Sequence, residues 1–160
     1  MGALQLMSKP SEWWRNLPTT SFGSSHMEER LAGLIIAGRK RATVWSGQED
    51  NPTKPGMNWV VTANARPVAV IETLSVGQCR FEEIDANFAF EEGEGDRSLA
   101  YWRIVHQAFF EKEGSFSPNM MLWWEKFRLV EVLDADLAAK SEAMVALDEA
   151  DAAKLLANQP

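Results

Sequence analysis

The sequence predicts an α+β domain in which a small mixed or barrel-like sheet is flanked by helices. Three observations carry that expectation. Segments rich in β-branched residues, "NWVVT" and "PVAVIETLSV", follow one another directly instead of alternating singly with helices. Two stretches, "SHMEERLAGLIIAGRK" and "LAYWRIVHQAFF", place apolar residues at helical spacing. The chain has 160 residues, 46% of them hydrophobic, with no internal repeat and no low-complexity linker, so it can bury one core.

Taken in order, "SEWWRNLP" reads as a short helix capped by Ser11 and stopped by Pro18. In the next helix Ser25 and Glu28 have capping-box spacing, and Met27, Leu31, Leu34 and Ile35 share a face. Gly38 is its natural C-cap, so the helix ends where the cations Arg39, Lys40 and Arg41 begin. "ATVW" reads as a short strand and "GQEDNPTKPG" as a surface loop. The strands "NWVVT" and "PVAVIETLSV" meet at a turn over Asn64–Arg66. "EEGEGDRS" is an acidic, glycine-punctuated loop whose Asp96 or Ser98 caps the following helix, where Leu99, Trp102, His106 and Phe109 recur on one face. After a second loop, "EGSFSPN", "MMLWWEKFRLVEVL" forms a long, bulged final strand with one of Trp123 and Trp124 turned from the core or toward a pocket. The order is α–β–β–β–α–β–α, dividing the chain into a body over 1–133 and an acidic helical extension over 134–160. That extension holds six acidic and two basic residues.

Charge and cysteine content narrow the function. The net charge of −7 argues against a broad duplex-binding face, while leaving room for a local basic pocket that holds one nucleotide. Cys79 is the single cysteine, so no internal disulfide forms. Read as a buried, inert thiol, it fits a reducing, cytoplasmic setting. No apolar run approaches ~18 residues and Met1–Pro10 lacks the apolar centre of a signal peptide, so neither membrane nor targeting is expected. Two histidines and one cysteine make a histidine/cysteine zinc site hard to build, and no metal or other cofactor is expected.

The chemistry concentrates in "IIAGRKRATVW". One reading is a charged helix end that complements the helix dipole. The other pairs Thr43 as nucleophile with Lys40 as base. Lysine accepts a proton near neutrality only if its pKa falls from ~10.4 toward ~7–8, through burial and the like charges of Arg39 and Arg41. Trp45 is placed to stack on a base. A carboxylate of "FEEGEGD" would hold Lys40 or deliver a proton to a leaving amine. His106 reads as a core histidine, Trp102 as packing, and Ser115 and Ser117 as turn residues with a ligand within reach.

The blocks "LAGLIIAGRKRAT", "KPGMNWVV", "RPVAVIETLSV", "FEEIDANFAFEEGEGDRSLAYWRIVHQAFF", "FSPNMML" and "WEKFRLVEV", in this order, resemble the ASCH domain family from about Trp13 to Leu133. The resemblance implies a PUA-like β-barrel with flanking helices and a cleft suited to RNA or a nucleotide. Small bacterial relatives hydrolyse the amide of cytidine acetylated on its exocyclic amine, using a lysine, a threonine three residues later and a downstream glutamate. Ala37, Gly38, Arg39, Lys40 and Thr43 match their arrangement, and their glutamate corresponds to Glu92, with Glu94 as competitor. On this resemblance Thr43 attacks, Lys40 accepts its proton, and Glu92 orients Lys40 and helps protonate the leaving amine. Arg39, Arg41, Trp45, Glu94 and Ser117 would bind a small nucleoside substrate. The alternatives are a non-catalytic module binding RNA or a nucleotide, and a ribonuclease using Lys40 with a loop serine. Trp45 stands where relatives often carry a small residue or arginine.

Overall fold

The structure is a computed structural model and describes residues 12–160. Five strands form one sheet in the order β1-β3-β4-β5-β2: β1 (Thr19–Thr20), β2 (Ala42–Ser46), β3 (Asn58–Ala63), β4 (Arg66–Arg80) and β5 (Met121–Val132). β1 runs parallel to β3 and the other pairs are antiparallel. Four helices complete the α+β fold: α1 (Glu28–Ile36), α2 (Ala86–Glu92), α3 (Leu99–Lys112) and α4 (Ala135–Ala157). None is long and apolar enough to cross a membrane.

The hairpin joining β3 and β4 turns through Asn64 and Ala65, at φ 51° and 67°. Positive φ at both positions matches the right-handed twist of the flanking strands. β4 runs past its β-branched stretch because a cross-strand aromatic replaces the missing side chain of Gly77. Trp124 lies opposite, and a Cβ on Gly77 would meet its ring at 2.6 Å. Pairing between β4 and β5 shifts near Val70 and Thr73, which bends these long strands. The sheet nevertheless stays open, which corrects the expected barrel. β1 has only two residues, and the outer side of β2 is approached by α2, whose Glu91 carbonyl accepts from the Arg41 N–H at 2.7 Å.

Alternation along β5 separates two cores. Phe127 faces α1 and α4 together with Leu34, Ile35 and Val145. Leu122 and Trp124 face α2 and α3 together with Phe81, Phe88 and Trp102. Trp123 is the tryptophan turned to the opposite face, where it stacks on Trp45.

Several local expectations change. Ser11 lies outside the described residues, and 12–16 forms hydrogen-bonded turns rather than a helix. Ser25 and Glu28 form no capping box; α1 starts from Met27, itself held in a turn by Ser24. At its other end Gly38 takes φ 83°, with Arg39 N–H on the Leu34 carbonyl and Gly38 N–H on that of Ile35, a Schellman closure. Glu91 and Glu92 close α2 instead of opening a loop, whereas the cap expected of Asp96 or Ser98 is made by Ser98 on α3. The inner face of α3 continues from His106 to Phe110, leaving Phe109 half exposed. Cys79 is partly exposed, not buried, and burial followed by Glu83 and Asp85 pushes its thiol pKa up.

Candidate active site

The Schellman turn after α1 sends Lys40 inward, where it is only 2% exposed. Its ammonium donates to the Ala42 carbonyl at 2.8 Å, Glu94 Oε2 at 2.9 Å and Glu92 Oε1 at 3.3 Å, so all three protons are engaged. Glu92 arrives from the last turn of α2, followed by Gly93 at φ 76°. A Cβ on Gly93 would collide with the Arg39 carbonyl, so close backbone approach brings Lys40 and Glu92 together. The other oxygen of Glu92 accepts from Trp102 Nε1 and from His106 Nε2, the latter at 2.9 Å. The remaining ring nitrogen of His106 lies 2.8 Å from the Trp102 carbonyl, and its ring stacks on Trp102 at 4.2 Å. Because both ring nitrogens face acceptors, the geometry favours the imidazolium.

The electrostatics follow from this pairing. Burial alone would raise the pKa of Glu92, but the charges of Lys40 and His106, with hydrogen bonds from His106 and Trp102, bring it to about 2. Burial would lower His106, yet Glu92 outweighs it and the net shift is upward. For Lys40 burial is again the largest single influence and acts downward, and Glu92 with Glu94 reverses it. The expected fall of Lys40 toward neutrality is therefore corrected: two carboxylates hold it as a cation.

Glu92, Glu94 and His106 offer ligand atoms within 4.8 Å of one another, enough to hold a metal ion. Lys40 already donates to both carboxylates from its position between them, so an ion would have to displace that ammonium.

Thr43, on β2, shares a cavity of about 210 Å³ with Lys40, Glu92, Glu94 and His106. Apolar side chains including Phe22, Val105 and Phe110 line the remainder. Thr43 also lines a second cavity of about 370 Å³ with Trp45, Thr53, Trp59 and Glu125. Its hydroxyl makes no hydrogen bond to a described residue, so it stands free at the junction of the two spaces.

The other residues expected at the site divide. Trp45 borders the larger cavity, stacked on Trp123 at 6.4 Å and donating to the Asp50 carbonyl. Arg39 and Arg41 line neither cavity, which corrects their expected role at the substrate. Arg39 reaches Glu149 at 3.2 Å and the Gly95 carbonyl at 3.4 Å, and Arg41 is exposed. Their charges fall on Arg97, which burial and then Arg39 and Arg41 hold below the usual guanidinium range. Ser117 is likewise removed from the site, because its hydroxyl bonds Asn119 within its own turn.

Three functional candidates escaped sequence reasoning. His106 and Trp102 looked like packing because they lie on the apolar face of α3. Glu125 had a legible signal: an acid on the same strand face as the core residue Phe127.

A family model for the ASCH domain matches residues 18–131. The chain belongs to the ASCH domain family. It is similar to an ASCH domain from Lactobacillus crispatus JV V101, at 30% identity over 81% of this chain and 91% of that one, with a TM-score of 0.68. It is also similar to a protein from Enterococcus faecalis V583, at 27% identity over 82% and 88% of the two chains, with a TM-score of 0.64. No curated protein matches. The ASCH neighbours share the α+β, PUA-like arrangement, and in this ASCH chain α4 packs on α1 beyond the matched segment. Within α4, Asp148 accepts from the Gly95 N–H at 2.6 Å and pairs with Arg30, bracing the loop that carries Glu94.

Proposed function

We propose that this ASCH protein is a cytoplasmic amidohydrolase that removes an acyl group from the exocyclic amine of a cytidine-type nucleoside. The observation that carries the proposal is a free threonine hydroxyl beside a buried, fully engaged lysine–carboxylate–histidine cluster. Isolated buried charges are costly and such clusters concentrate at functional sites, which is why the arrangement favours catalysis over packing.

In this reading Thr43 Oγ1 attacks the acyl carbonyl and the Lys40 ammonium stabilises the oxyanion that develops. Glu92 and Glu94 hold the ammonium in place. A proton passes from Lys40 to the departing amine and is replaced through Glu94, the more exposed of the two acids. Water then hydrolyses the threonine ester. Lys40 can accept the proton of Thr43 only after transferring one of its own, so a different group is favoured for that step.

The test is turnover of N-acetylcytidine followed by its ultraviolet shift, with Thr43→Val and Lys40→Met beside the unaltered protein. Turnover that vanishes in both variants is expected. No turnover, or turnover unchanged in Thr43→Val, would sink the reading. The stacked Trp45–Trp123 pair also favours a second reading, a module that stacks a base of RNA or a nucleotide. Salt-dependent RNA binding without chemistry on any nucleoside would select it.

A further inference from the structure

We infer that Glu125 is the general base that takes the proton from Thr43. The inference rests on the part of the proposed function that makes Thr43 the nucleophile.

Pairing on β2 and β5 supplies the geometry. Phe127 N–H donates to the Arg41 carbonyl at 2.9 Å and Gly47 N–H to the Met121 carbonyl at 2.8 Å. Hydrogen-bonded pairs alternate along an antiparallel ladder, so Thr43 and Glu125, directly opposite, form another such pair. Their Cα atoms then lie about 5.5 Å apart with both side chains on one face. Both line the larger cavity.

Glu125 is held ready at one oxygen only. Thr73 donates to Oε2 at 2.6 Å, and because that proton is committed, Thr73 must itself accept from Thr53 at 2.6 Å. Thr53 in turn accepts from Trp59 Nε1 at 2.9 Å. This relay of donors is polarised toward the carboxylate and fixes its plane. Oε1 has no hydrogen-bond partner among the described residues and is not sealed from the cavity. An unpartnered hydroxyl thus lies across the strand from an unpartnered carboxylate oxygen.

Burial raises the pKa of Glu125, and Thr73 with the charge of Lys40 draws it only part of the way back. A base whose pKa lies above the ordinary carboxylate value is better matched to neutral pH. Facing Glu125 are Lys40 ahead of β2, Thr43 on β2 and Thr73 on β4. Glu49, Asp50 and Thr53 of the loop between β2 and β3 line the same cavity. Lys40 is the one cation among them.

The step balances without a cofactor. The Thr43 O–H bond breaks, its proton moves to Glu125, and Oγ1 bonds the acyl carbon while the leaving group departs with its electron pair. Glu125 then releases that proton to solvent through the open cavity and is a carboxylate again. In the second half Glu125 takes a proton from water, hydroxide attacks the ester carbonyl, and the acyl carbon–Oγ1 bond breaks as Glu125 returns the proton to Thr43 Oγ1.

The experiment uses p-nitrophenyl acetate, which needs no nucleoside recognition, and measures p-nitrophenolate release and acylation of the Thr43 peptide by mass. The unaltered protein should be acylated at Thr43, and Glu125→Gln should be slowed at least 100-fold, the scale of general-base catalysis. Its rate should lose the acid-side pH limb that the unaltered protein shows. Glu125→Asp, which keeps an ionisable group, should retain that limb at an intermediate rate and covers the case in which Glu125→Gln does not fold. Equal acylation of Glu125→Gln and the unaltered protein overturns the inference, as does absence of acylation at Thr43. Glu125-dependent acylation without turnover of acylcytidine leaves the inference standing and removes the nucleoside substrate instead.

Discussion

Two buried acids flank Thr43, and their surroundings move their pKa values in opposite directions. Glu92, among Lys40, His106 and Trp102, is held at about 2. Glu125, among threonine hydroxyls with Lys40 farther off, is pushed up. Burial acts upward on both, so the sign is set by the partners: two adjacent cations outweigh desolvation, and a hydroxyl relay does not. One side of Thr43 therefore offers fixed charge and the other an acceptor that can take a proton.

Removing the cation breaks the comparison most severely. Lys40→Met leaves Glu92 and Glu94 without their ammonium, and loss of one partner of a buried ion pair costs about 3–5 kcal/mol. Urea unfolding should show a drop on that scale, partly restored by Glu92→Gln in the same chain. The next largest effect is in pH. Glu92 has its folded pKa lowered from 4.5 to about 2, so its contribution is complete above pH 4.5 and is lost as pH falls toward 2. His106, raised above 6.5, contributes fully below that value and loses its contribution as pH rises through the folded pKa. Unfolding free energies across pH should show both slopes, and Glu92→Gln should flatten them.

Thr73→Val sharpens the other side. It removes the hydrogen bond that pulls Glu125 down, so the acid limb of Thr43 acylation should move to higher pH, with a stability loss of about 1–3 kcal/mol. The smallest effect is expected from Asp148→Asn, which weakens the contacts to Gly95 and Arg30. Thermal unfolding should register about 1 kcal/mol, with the pH limb on the Glu125 side unmoved.

Much of the site's lysine half was legible before folding. Gly38 announced the turn, and Lys40 and Thr43 stood in one short stretch. Family resemblance supplied Glu92, with Glu94 beside it. The basic cluster misled because three adjacent cations suggest one shared field, whereas the Gly38 turn sends Lys40 inward and leaves Arg39 and Arg41 facing α4, Gly95 and Arg97. His106 was hidden by its apolar neighbours on α3, since helical spacing shows which residues share a face but not what that face meets.

By itself the sequence determined what depends on a few neighbouring residues: the helix ending at Gly38, a turn starting at Asn64, the paired strands and the proximity of Lys40 to Thr43. Tertiary structure alone decided that the sheet stays open, that Lys40 keeps its proton and that Glu125 stands across from Thr43. The physical reason is range. Turns and caps are governed by local backbone preference, whereas strand register and the pKa of a buried group depend on partners brought together from distant parts of the chain.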